Sequence, residues 1–396
     1  MTDITTAVVL AAGEGARLRP LTRYRPKPMM AVANRPIIEY VLDALLAAGV
    51  TDVVVVVGHQ RTRIQDHLMQ RYPAVDVTYV RQHHQLGSGD ALVQAAESVP
   101  EEFVVVNGDN VIDATMVRET IARYQGSDVA ATVAVARSDS AHEYGTVCVE
   151  NGRITTILDR EGGDAHGRIN VGVYVFEDTI FDALERTTVR SGELSLTDAV
   201  PYLSGTVVPA VPDGVWYDPA YPWDLLRITE QIQSAHPELV SEGDAFVRID
   251  DSARIHETAV VEEDVLVGPG CDISAGAVLR AGTCLGSDVR IGANSVVNRS
   301  LIGAGTTVRA SATLCDTVVG EEATIGEGAT APGGPGDFVV DGRLHRNQQL
   351  GSLVSDRADV GANVALSPGA RIGPDARVPH GNTVGESLTV ETGVVR

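Results

Sequence analysis

The chain of 396 residues is too long for one ordinary hydrophobic core, so we expect two domains. The hydrophobic content of 44% is enough to form a core in each of them. Acidic residues number 53 against 31 basic ones, which gives a formal net charge of -22. This balance argues against a nucleic-acid partner, because no basic surface is available to meet phosphate backbones.

Lysine is almost absent from the chain. Lys27 is the single lysine, and every other basic residue is arginine. Acid-rich, lysine-poor surfaces are typical of a cytosol at very high salt, although a GC-rich genome would also favour arginine. Whether high salt or genome composition is the cause, every lysine but one has been replaced, so Lys27 is a candidate functional residue.

The sequence carries no targeting signal that we recognise. The N-terminus lacks a charged n-region and an apolar h-region, and no apolar stretch approaches the roughly 20 residues that span a bilayer. Four cysteines show neither paired nor zinc-ligand spacing and are expected to be reduced core residues: Cys148, Cys271, Cys284 and Cys315. We therefore expect a soluble, cytoplasmic protein with no membrane partner.

Up to about residue 230, short apolar runs alternate with amphipathic stretches. Residues 7–12 predict a buried strand, and the five valines at 53–57 predict a strand buried on both faces. Between them Pro36 opens a helical pattern that Gly49 ends. Further strands are expected at 75–80, 103–106 and 129–135. Such alternation predicts an α/β domain with a Rossmann-like, mostly parallel sheet that binds ligands at the carboxyl ends of its strands.

A period of six residues replaces this pattern after about residue 245. The period fits neither an α-helix nor a flat strand, but it fits a prism-shaped parallel β-helix with the aliphatic residue stacked inward and glycine at the corners. The register slips by one residue twice and resumes in a third run after residue 352. The first run comprises Ile255, Val261, Val267, Ile273, Leu279, Leu285, Ile291 and Val297.

These patterns predict a first domain at residues 1–232, a linker at 233–250 and a β-helix at 251–396. The period fails at about residues 331–352, in a stretch rich in glycine and proline. A loop is therefore expected to leave the prism there.

A loop of small residues follows the first predicted strand. Its glycines would let backbone N–H groups approach a triphosphate closely. Beyond it, Arg17 and Lys27 could neutralise phosphate charge as it shifts to a leaving pyrophosphate. The loop and the residues that follow it have the sequence Leu10-Ala11-Ala12-Gly13-Glu14-Gly15-Ala16-Arg17-Leu18-Arg19-Pro20-Leu21-Thr22, followed by Arg25-Pro26-Lys27-Pro28.

This stretch closely resembles the signature of sugar-1-phosphate nucleotidylyltransferases, L-A-A-G-x-G-T-R-L-x-P-L-T followed by P-K. Several members of that family also carry a hexapeptide-repeat, left-handed parallel β-helix, so the resemblance covers the whole chain. It implies UTP or dTTP and a glucose- or N-acetylglucosamine-type sugar-1-phosphate as substrates, with Mg²⁺ as cofactor. It further implies a homo-oligomer, a trimer or a multiple of it. With the composition, a halophilic, haloarchaeal source is expected.

The family pattern also implies roles for individual positions. Catalysis would fall to Arg17, Lys27 and Asp109, with Asp109 and Asp218 as the magnesium ligands. Gln82 would read the pyrimidine edge. The other nucleotide-binding positions are Leu10, Ala11, Ala12, Gly13, Gly87 and Ser88. The sugar-binding positions are Asn110, Tyr144, Gly145, Asp159, Asn170 and Gly172.

Some positions depart from the family pattern. Ala16 and Ser88 replace the usual threonines. The dipeptide Asp159-Arg160 stands where Glu-Lys is usual, which leaves the identity of the sugar open. Pro219 follows Asp218 where a small residue is usual, so the nearby Asp224 could serve instead. His83 and His84 are expected to be solvated loop residues.

Bifunctional relatives use the β-helix as an acetyltransferase with a histidine base. Residues 309–317 contain no histidine, and residues 329–334 lack the asparagine of that site. His345 and His380 are expected to be structural or solvated, so we expect a structural, oligomerising or regulatory domain. Two alternatives stay open. One is a bifunctional enzyme whose acetyltransferase site is built differently, and the other is a non-catalytic regulatory subunit, which the intact Arg17, Lys27 and Asp109 disfavour.

Overall fold

The computed structural model describes residues 4–58, 60–138, 144–158, 167–190, 192–240, 249–385 and 389–390. The chain forms two compact units. The first comprises Met1–Glu14, Pro26–Met29 and Ile37–Asp218, and the second comprises Gly15–Arg25, Met30–Pro36 and Pro219–Arg396. Two short N-terminal segments therefore belong with the C-terminal part of the chain. Across the described ranges, no helix has the length and apolar character needed to cross a membrane.

Thirteen strands and six helices are described up to residue 240. The strands are β1 (Thr6–Ala11), β2 (Ala31–Val32), β3 (Arg35–Pro36), β4 (Asp52–Val57), β5 (Asp76–Arg81), β6 (Glu102–Asn107), β7 (Val111–Ile112), β8 (Ala131–Ser138), β9 (Thr146–Glu150), β10 (Arg153–Leu158), β11 (Gly167–Glu177), β12 (Val207–Ala210) and β13 (Trp216–Tyr217). The helices are α1 (Ile37–Ala47), α2 (Arg61–Arg71), α3 (Ser88–Gln94), α4 (Ala114–Gln125), α5 (Thr179–Arg186) and α6 (Pro222–Ala235). Of these, β2, β3 and α6 belong to the second unit.

The first unit is built on a sheet in the order β10-β9-β11-β6-β1-β4-β5, with β8 paired to β11 and β12. Strands β6, β1, β4 and β5 are parallel, which confirms the predicted Rossmann-like α/β fold. Strand β11 runs antiparallel to both β6 and β8, so β8, the strand predicted at 129–135, points in the same direction as β6 but is separated from it by β11. From β1 the chain continues to β4 and β5 on one side, and β6 lies on the other. This places the topological switch point between β1 and β6.

The valines of β4 show why this sheet is buried on both faces. Val53, Val55 and Val57 belong to one hydrophobic cluster, which also contains residues of α1 and α4. Val54 and Val56 belong to the cluster on the opposite face, with residues of α3 and α5. Because side chains alternate along a strand, a continuous apolar run fills both cores at once.

The second unit contains a parallel β-helix of three seven-stranded sheets. The first sheet comprises Arg254–Ile255, Asp272–Ile273, Arg290–Ile291, Thr307–Val308, Thr324–Ile325, Asp359–Val360 and Arg377–Val378. The second comprises Val260–Val261, Val278–Leu279, Val296–Asn298, Thr313–Cys315, Thr330–Ala331, Ala365–Leu366 and Thr383–Val384. The third comprises Leu266–Val267, Cys284–Leu285, Leu301–Ile302, Val318–Val319, Ser352–Val354, Ala370–Ile372 and Thr389–Val390.

The aliphatic residue of each hexad stacks on its counterpart in the next coil, as Ile273 does on Ile291 and Ile291 on Val308. Glycine follows the strands because the coils approach closely there: a Cβ on Gly268 would lie 2.8 Å from the carbonyl oxygen of Gly286. The prediction of a parallel β-helix is confirmed, and the stacked sheets are consistent with the left-handed form. Where the period fails, Pro335–Val340 and Arg343–Gln349 pair as an antiparallel hairpin.

We expect Leu314→Ala to destabilise the β-helix by about 2–5 kcal/mol, because the side chain is fully buried and its removal leaves a cavity. Leu314 stacks between Val297 and Ala331. Chemical denaturation would measure the loss. The control is Thr313→Ala, a partly exposed position of the same strand, which should cost below about 1 kcal/mol. Equal losses for the two variants would contradict the inward stacking of the aliphatic residue.

Candidate active site

Lys27 is the centre of a charged cluster in the first unit. Its Nζ donates hydrogen bonds to Asp109 Oδ2 at 2.8 Å and to Asp218 Oδ1 at 2.9 Å. The Lys27 and Asp218 side chains are each 10% exposed, whereas that of Asp109 is 36% exposed. Three predicted site residues from distant parts of the sequence therefore meet around one ammonium.

The backbone explains how the two aspartates come together. Asp109 lies just after the carboxyl end of β6, and the preceding Gly108 donates its N–H to the carbonyl oxygen of Leu10 at 2.9 Å. A Cβ on Gly108 would lie 2.9 Å from Val9 Cγ1, so glycine permits this close approach to β1. Asp218 directly follows β13, which pairs with β7 two residues beyond Asp109. The cluster thus lies at the switch point of the sheet.

The charges of the cluster favour a protonated lysine. Burial alone would lower the pKa of Lys27, but the neighbouring carboxylates of Asp109 and Asp218 raise it, and the net pKa is above its ordinary value. One ammonium and two carboxylates leave a formal charge of about -1. Carboxylate oxygens are the ligands that Mg²⁺ prefers, so this donor set fits that ion.

The fit to Mg²⁺ also depends on how many ligands the chain offers. Among the described residues, no group of three or more histidine, cysteine, aspartate or glutamate side chains converges. A pair of carboxylates suits Mg²⁺, which usually keeps several waters and takes further oxygens from substrate phosphates. Asp109 and Asp218 are therefore the residues that would hold the ion.

A second group of predicted positions surrounds Gln82, which is buried. The Gln82 amide nitrogen donates to the carbonyl oxygen of Gly87 at 3.0 Å and to Asp90 Oδ2 at 2.7 Å. Gly87 has φ +100° and precedes α3, where Ser88 Oγ accepts a hydrogen bond from the N–H of Leu196 at 3.0 Å. Both amide hydrogens of Gln82 are thus committed, and the orientation of its side chain is fixed.

Sequence reasoning missed Asp90, although its position in the first turn of α3, eight residues after Gln82, was a usable signal. The same region is tied to the loop after β1, since Gln85 Nε2 donates to the carbonyl oxygen of Ala12 at 3.2 Å. Leu10, Ala11, Ala12 and Gly13 lie at and just beyond the carboxyl end of β1, and their role in nucleotide binding stays a prediction.

The predicted sugar positions gather around a bulge in β11. Between Asn170 and Tyr174 the register against β8 shifts, and Gly172 takes φ +77°. Asn170 Oδ1 accepts from the N–H of Gly172 at 3.1 Å, and Asn170 Nδ2 donates to the Tyr174 hydroxyl at 2.6 Å. Asn110 Nδ2 donates to the carbonyl oxygen of Val171 at 3.2 Å. These contacts place the bulge beside the strand that leads to Asp109.

Of the remaining predicted sugar positions, Gly145 contacts this bulge and Tyr144 contacts Trp216 of β13. The carbonyl oxygen of Gly145 accepts from the N–H of Asn170 at 2.9 Å, and Tyr144 packs edge-on against Trp216 at a centroid distance of 5.3 Å. Asn107, which sequence reasoning did not single out, fills the space where a Cβ of Gly172 would lie. The predicted position Asp159 lies outside the described residues.

Two further candidates belong to the second unit. Arg17 lies in the short 3-10 helix Ala16–Leu18, and its Nε donates to Asp341 Oδ2 at 3.3 Å. Asp224 caps the start of α6, because its carboxylate accepts from the N–H of Tyr221 at 2.9 Å and pairs with Arg227 at 2.9 Å. Of the two aspartates weighed for the second magnesium ligand, Asp218 is therefore the one bonded to Lys27.

A lysine and two aspartates at the switch point of a Rossmann-like sheet are typical of α/β enzymes that bind phosphates, and the same chain also carries a parallel β-helix. Residues 6–235 match the family model described as Nucleotidyl transferase, and residues 244–333 match that of the GMPPB C-terminal domain. Because the first match spans more than half of the 396 residues, the chain belongs to the nucleotidyl transferase family.

Two known proteins and one solved structure are similar to this chain. The UTP–glucose-1-phosphate uridylyltransferase AglF of Haloferax volcanii is 34% identical over 235 residues, which cover 57% of this chain and 96% of that protein. The bifunctional protein GlmU of Methanocaldococcus jannaschii is 30% identical over 386 residues, which cover 93% of this chain and 91% of that protein. A solved UDP-glucose pyrophosphorylase from Acinetobacter aligns with TM-score 0.52 and 27% identity, over 60% of this chain and 96% of that one.

We expect Gly172→Ala to destabilise the first unit by about 2–4 kcal/mol, because a methyl group there combines a strained φ with a clash. Its Cβ would lie 2.7 Å from Cγ of Asn107. Thermal and chemical unfolding would measure the loss. The matched control is Gly152→Ala, which has φ +79° but nothing within 4 Å of the added Cβ, and should cost about 1 kcal/mol from strain alone. Similar losses for both variants would contradict the close packing of Asn107 against the bulge.

Proposed function

We propose that this protein joins UTP or dTTP to a sugar-1-phosphate of the glucose or N-acetylglucosamine type and releases pyrophosphate. The observation that carries the proposal is the Lys27 ammonium, held between Asp109 and Asp218 at the switch point of the sheet. The family assignment and the two relatives that cover this part of the chain support the same reaction class.

In this reaction an oxygen of the sugar phosphate attacks the α-phosphorus of the triphosphate in line. The new P–O bond forms as the bond to the β-phosphate breaks, and the electron pair leaves with pyrophosphate. No covalent enzyme intermediate is needed, so the protein contributes alignment and charge neutralisation. Lys27 supplies a positive charge that a fixed pair of carboxylates holds in place. Mg²⁺, held by Asp109 and Asp218, would neutralise further phosphate charge when bound.

The hydrogen bonds of the Gln82 amide support uracil or thymine as the base of the nucleotide. Its amide nitrogen is committed to Gly87 and Asp90, so we propose that the amide oxygen is the atom that accepts a hydrogen bond from the base. Uracil and thymine present an N3–H donor to such an acceptor, whereas cytosine presents an acceptor at N3. We propose that Asp90 fixes this orientation and thereby disfavours CTP.

For the β-helix we propose a structural and oligomerising role, in a trimer or a multiple of it. One relative that covers most of the chain is named bifunctional, so an acetyltransferase activity is the second candidate. Against it, His380 Nδ1 accepts from the N–H of Ala362 at 2.7 Å, and His256 Nδ1 accepts from the N–H of Thr258 at 3.2 Å. His345 packs against the Tyr221 and Trp223 rings. Consumption of acetyl-CoA with glucosamine-1-phosphate would favour this second candidate.

The test of the proposed reaction is pyrophosphate release in molar KCl with Mg²⁺, across UTP, dTTP, CTP and GTP against glucose-, N-acetylglucosamine- and galactose-1-phosphate. We expect one or a few pairs to react, and Lys27→Ala to lower kcat/KM at least about tenfold, or about 1.4 kcal/mol. The control Arg118→Ala removes an exposed cation of the same unit and should leave the rate near that of the wild type. Full activity of Lys27→Ala, or release from no pair, would contradict the proposal.

The base preference has its own test. We expect Asp90→Ala to free the Gln82 amide to rotate, and so to reduce the ratio of kcat/KM for UTP over CTP about tenfold. Glu97→Gln, an exposed carboxylate just after the same helix, is the control and should leave the ratio unchanged. An unchanged ratio in Asp90→Ala would show that the orientation of Gln82 does not set the choice of base.

A further inference from the structure

Asn170 lies at the edge of the sheet where Asp109 also lies, within the same unit. Strand β11 runs antiparallel to β6 with Val173 opposite Val106, so the residues before Val173 extend past the carboxyl end of β6. Asn110, the residue after Asp109, donates from Nδ2 to the carbonyl oxygen of the residue after Asn170, at 3.2 Å. A hydrogen bond therefore ties the start of β11 to the turn that carries Asp109.

The bulge in β11 brings the side chains of Asn170 and Tyr174 into contact. The register against β8 shifts between these two residues, and Gly172, with φ +77°, turns the chain there. In a regular strand, positions four residues apart lie about 13 Å from one another. The contact between the two side chains therefore depends on the bulge, and bulges next to active sites often serve to re-aim a side chain.

The hydrogen bonds of the Asn170 amide fix which of its two ends faces which neighbour. The N–H of Gly172 can only donate, so the atom that accepts from it at 3.1 Å is Asn170 Oδ1. Asn170 Nδ2 is then the atom that donates to the Tyr174 hydroxyl oxygen, at 2.6 Å. The amide cannot turn over without losing the bond to Gly172.

Tyr174 is a rigid partner for this amide. Its side chain is buried, and its ring stacks on that of Phe176 at a centroid distance of 5.5 Å. Burial raises the pKa of Tyr174 to about 12, although the hydrogen bond from Asn170 lowers it, so the hydroxyl is neutral at ordinary pH. A neutral phenol held by packing offers Asn170 one fixed acceptor.

Asn170 retains one hydrogen-bond donor for a ligand. Its Nδ2 carries two hydrogens, and the bond to Tyr174 uses one of them. Within the described ranges no acceptor takes the second hydrogen, and the residue is partly exposed. Because Oδ1 is directed at the N–H of Gly172, the amide offers a ligand its remaining N–H. Such a donor suits an acceptor oxygen, which every sugar hydroxyl supplies.

We propose that Tyr174 is a positioning residue for the sugar-1-phosphate, because its hydroxyl holds the Asn170 amide so that an N–H meets an acceptor oxygen of the sugar. This inference rests on the proposed function and on the sugar-binding role predicted for Asn170. It adds a residue that the motifs did not indicate, and it assigns the direction of the hydrogen bond between Asn170 and the sugar.

The experiment measures pyrophosphate release by the full-length protein carrying Tyr174→Phe, Asn170→Ala, or both. Tyr174→Phe is expected to raise KM for the sugar phosphate at least about fivefold and Asn170→Ala at least as much, because each loosens or removes the same hydrogen bond. KM for the nucleoside triphosphate should stay within about twofold, and kcat within about threefold. In the Asn170→Ala background, Tyr174→Phe is expected to add less than about twofold, since it acts through Asn170.

The matched control is Tyr124→Phe. The Tyr124 hydroxyl is also buried and hydrogen-bonded, since it donates to Glu102 Oε1 at 3.0 Å. Glu102 is the first residue of β6, so this bond lies at the opposite edge of the sheet. Both phenylalanine variants should lower the unfolding midpoint, because each loses a buried hydrogen bond. Only Tyr174→Phe should change KM for the sugar phosphate.

Asn170→Asp tests the donor directly if Tyr174→Phe does not fold. The aspartate keeps an acceptor for the N–H of Gly172 but has no N–H to offer the sugar, so KM for the sugar phosphate should rise at least about fivefold. A KM within about twofold of the wild type in Asn170→Asp would overturn the inference.

Failures of the inference and of the proposed function are distinguishable. A wild type that releases no pyrophosphate contradicts the proposed function and the inference with it. An active wild type in which Asn170→Ala or Tyr174→Phe leaves KM for the sugar phosphate unchanged overturns the inference alone. Multiplicative effects in the double variant, or equal rises of KM in Tyr124→Phe and Tyr174→Phe, would show that Tyr174 does not act through Asn170, and this too overturns the inference.

Discussion

Two carboxylates that face one ammonium impose the main constraint on the first unit. Asp109 and Asp218 come from chain positions 109 residues apart, and at contact distance like charges repel unless a cation lies between them. The chain supplies that cation from Lys27, the only lysine in a sequence with a formal net charge of -22. Pro26 and Pro28 flank the lysine and restrict its backbone, so its position is set before a ligand arrives. The remaining negative charge makes the cluster a natural site for a divalent cation.

Close backbone approach makes this cluster possible. Gly108 lets the turn after β6 lie against β1, and Gly172 lets the bulge of β11 lie against Asn107. Both glycines flank β6 at its carboxyl end, where the topology of the sheet reverses. The positions predicted to bind the nucleotide, in the loop after β1, and those predicted to bind the sugar, at the bulge, therefore lie on either side of the strand that leads to Asp109. The order of strands, more than any single side chain, brings the predicted residues together.

Much of the fold could be predicted from local patterns. The five valines of β4 and the hexads from Ile255 onward indicate buried side chains directly, because the spacing of the apolar residues along the sequence shows which of them face a core. The antiparallel β11 could not be predicted in the same way, since an apolar run does not show the direction of its neighbours. Among the site residues, the motifs indicated Lys27, Asp109 and Asp218, and the structure brings these three together.

What the sequence could not show are pairings between distant residues. Nothing in the motif around Arg25 indicates that Asp356 would be its partner, because both are ordinary charged residues in separate patterns. Asp90 could have been predicted more easily, because it lies eight residues from Gln82 in the sequence. Its hydrogen bond with Gln82, however, depends on the turn at Gly87. The membership of Gly15–Arg25 in the second unit follows from such contacts, and they appear only once the chain is folded.

The most direct test of the account uses the single lysine. Protein grown with lysine labelled at Cε and Nζ gives one side-chain signal in an NMR spectrum, and that signal belongs to Lys27. We predict that adding UTP with MgCl₂ in molar KCl shifts this signal in a saturable way, because the phosphates enter the surroundings of the ammonium. A signal that stays unmoved at saturating nucleotide would show that the phosphates bind elsewhere, and it would contradict the assignment of the Lys27, Asp109 and Asp218 cluster as the active site.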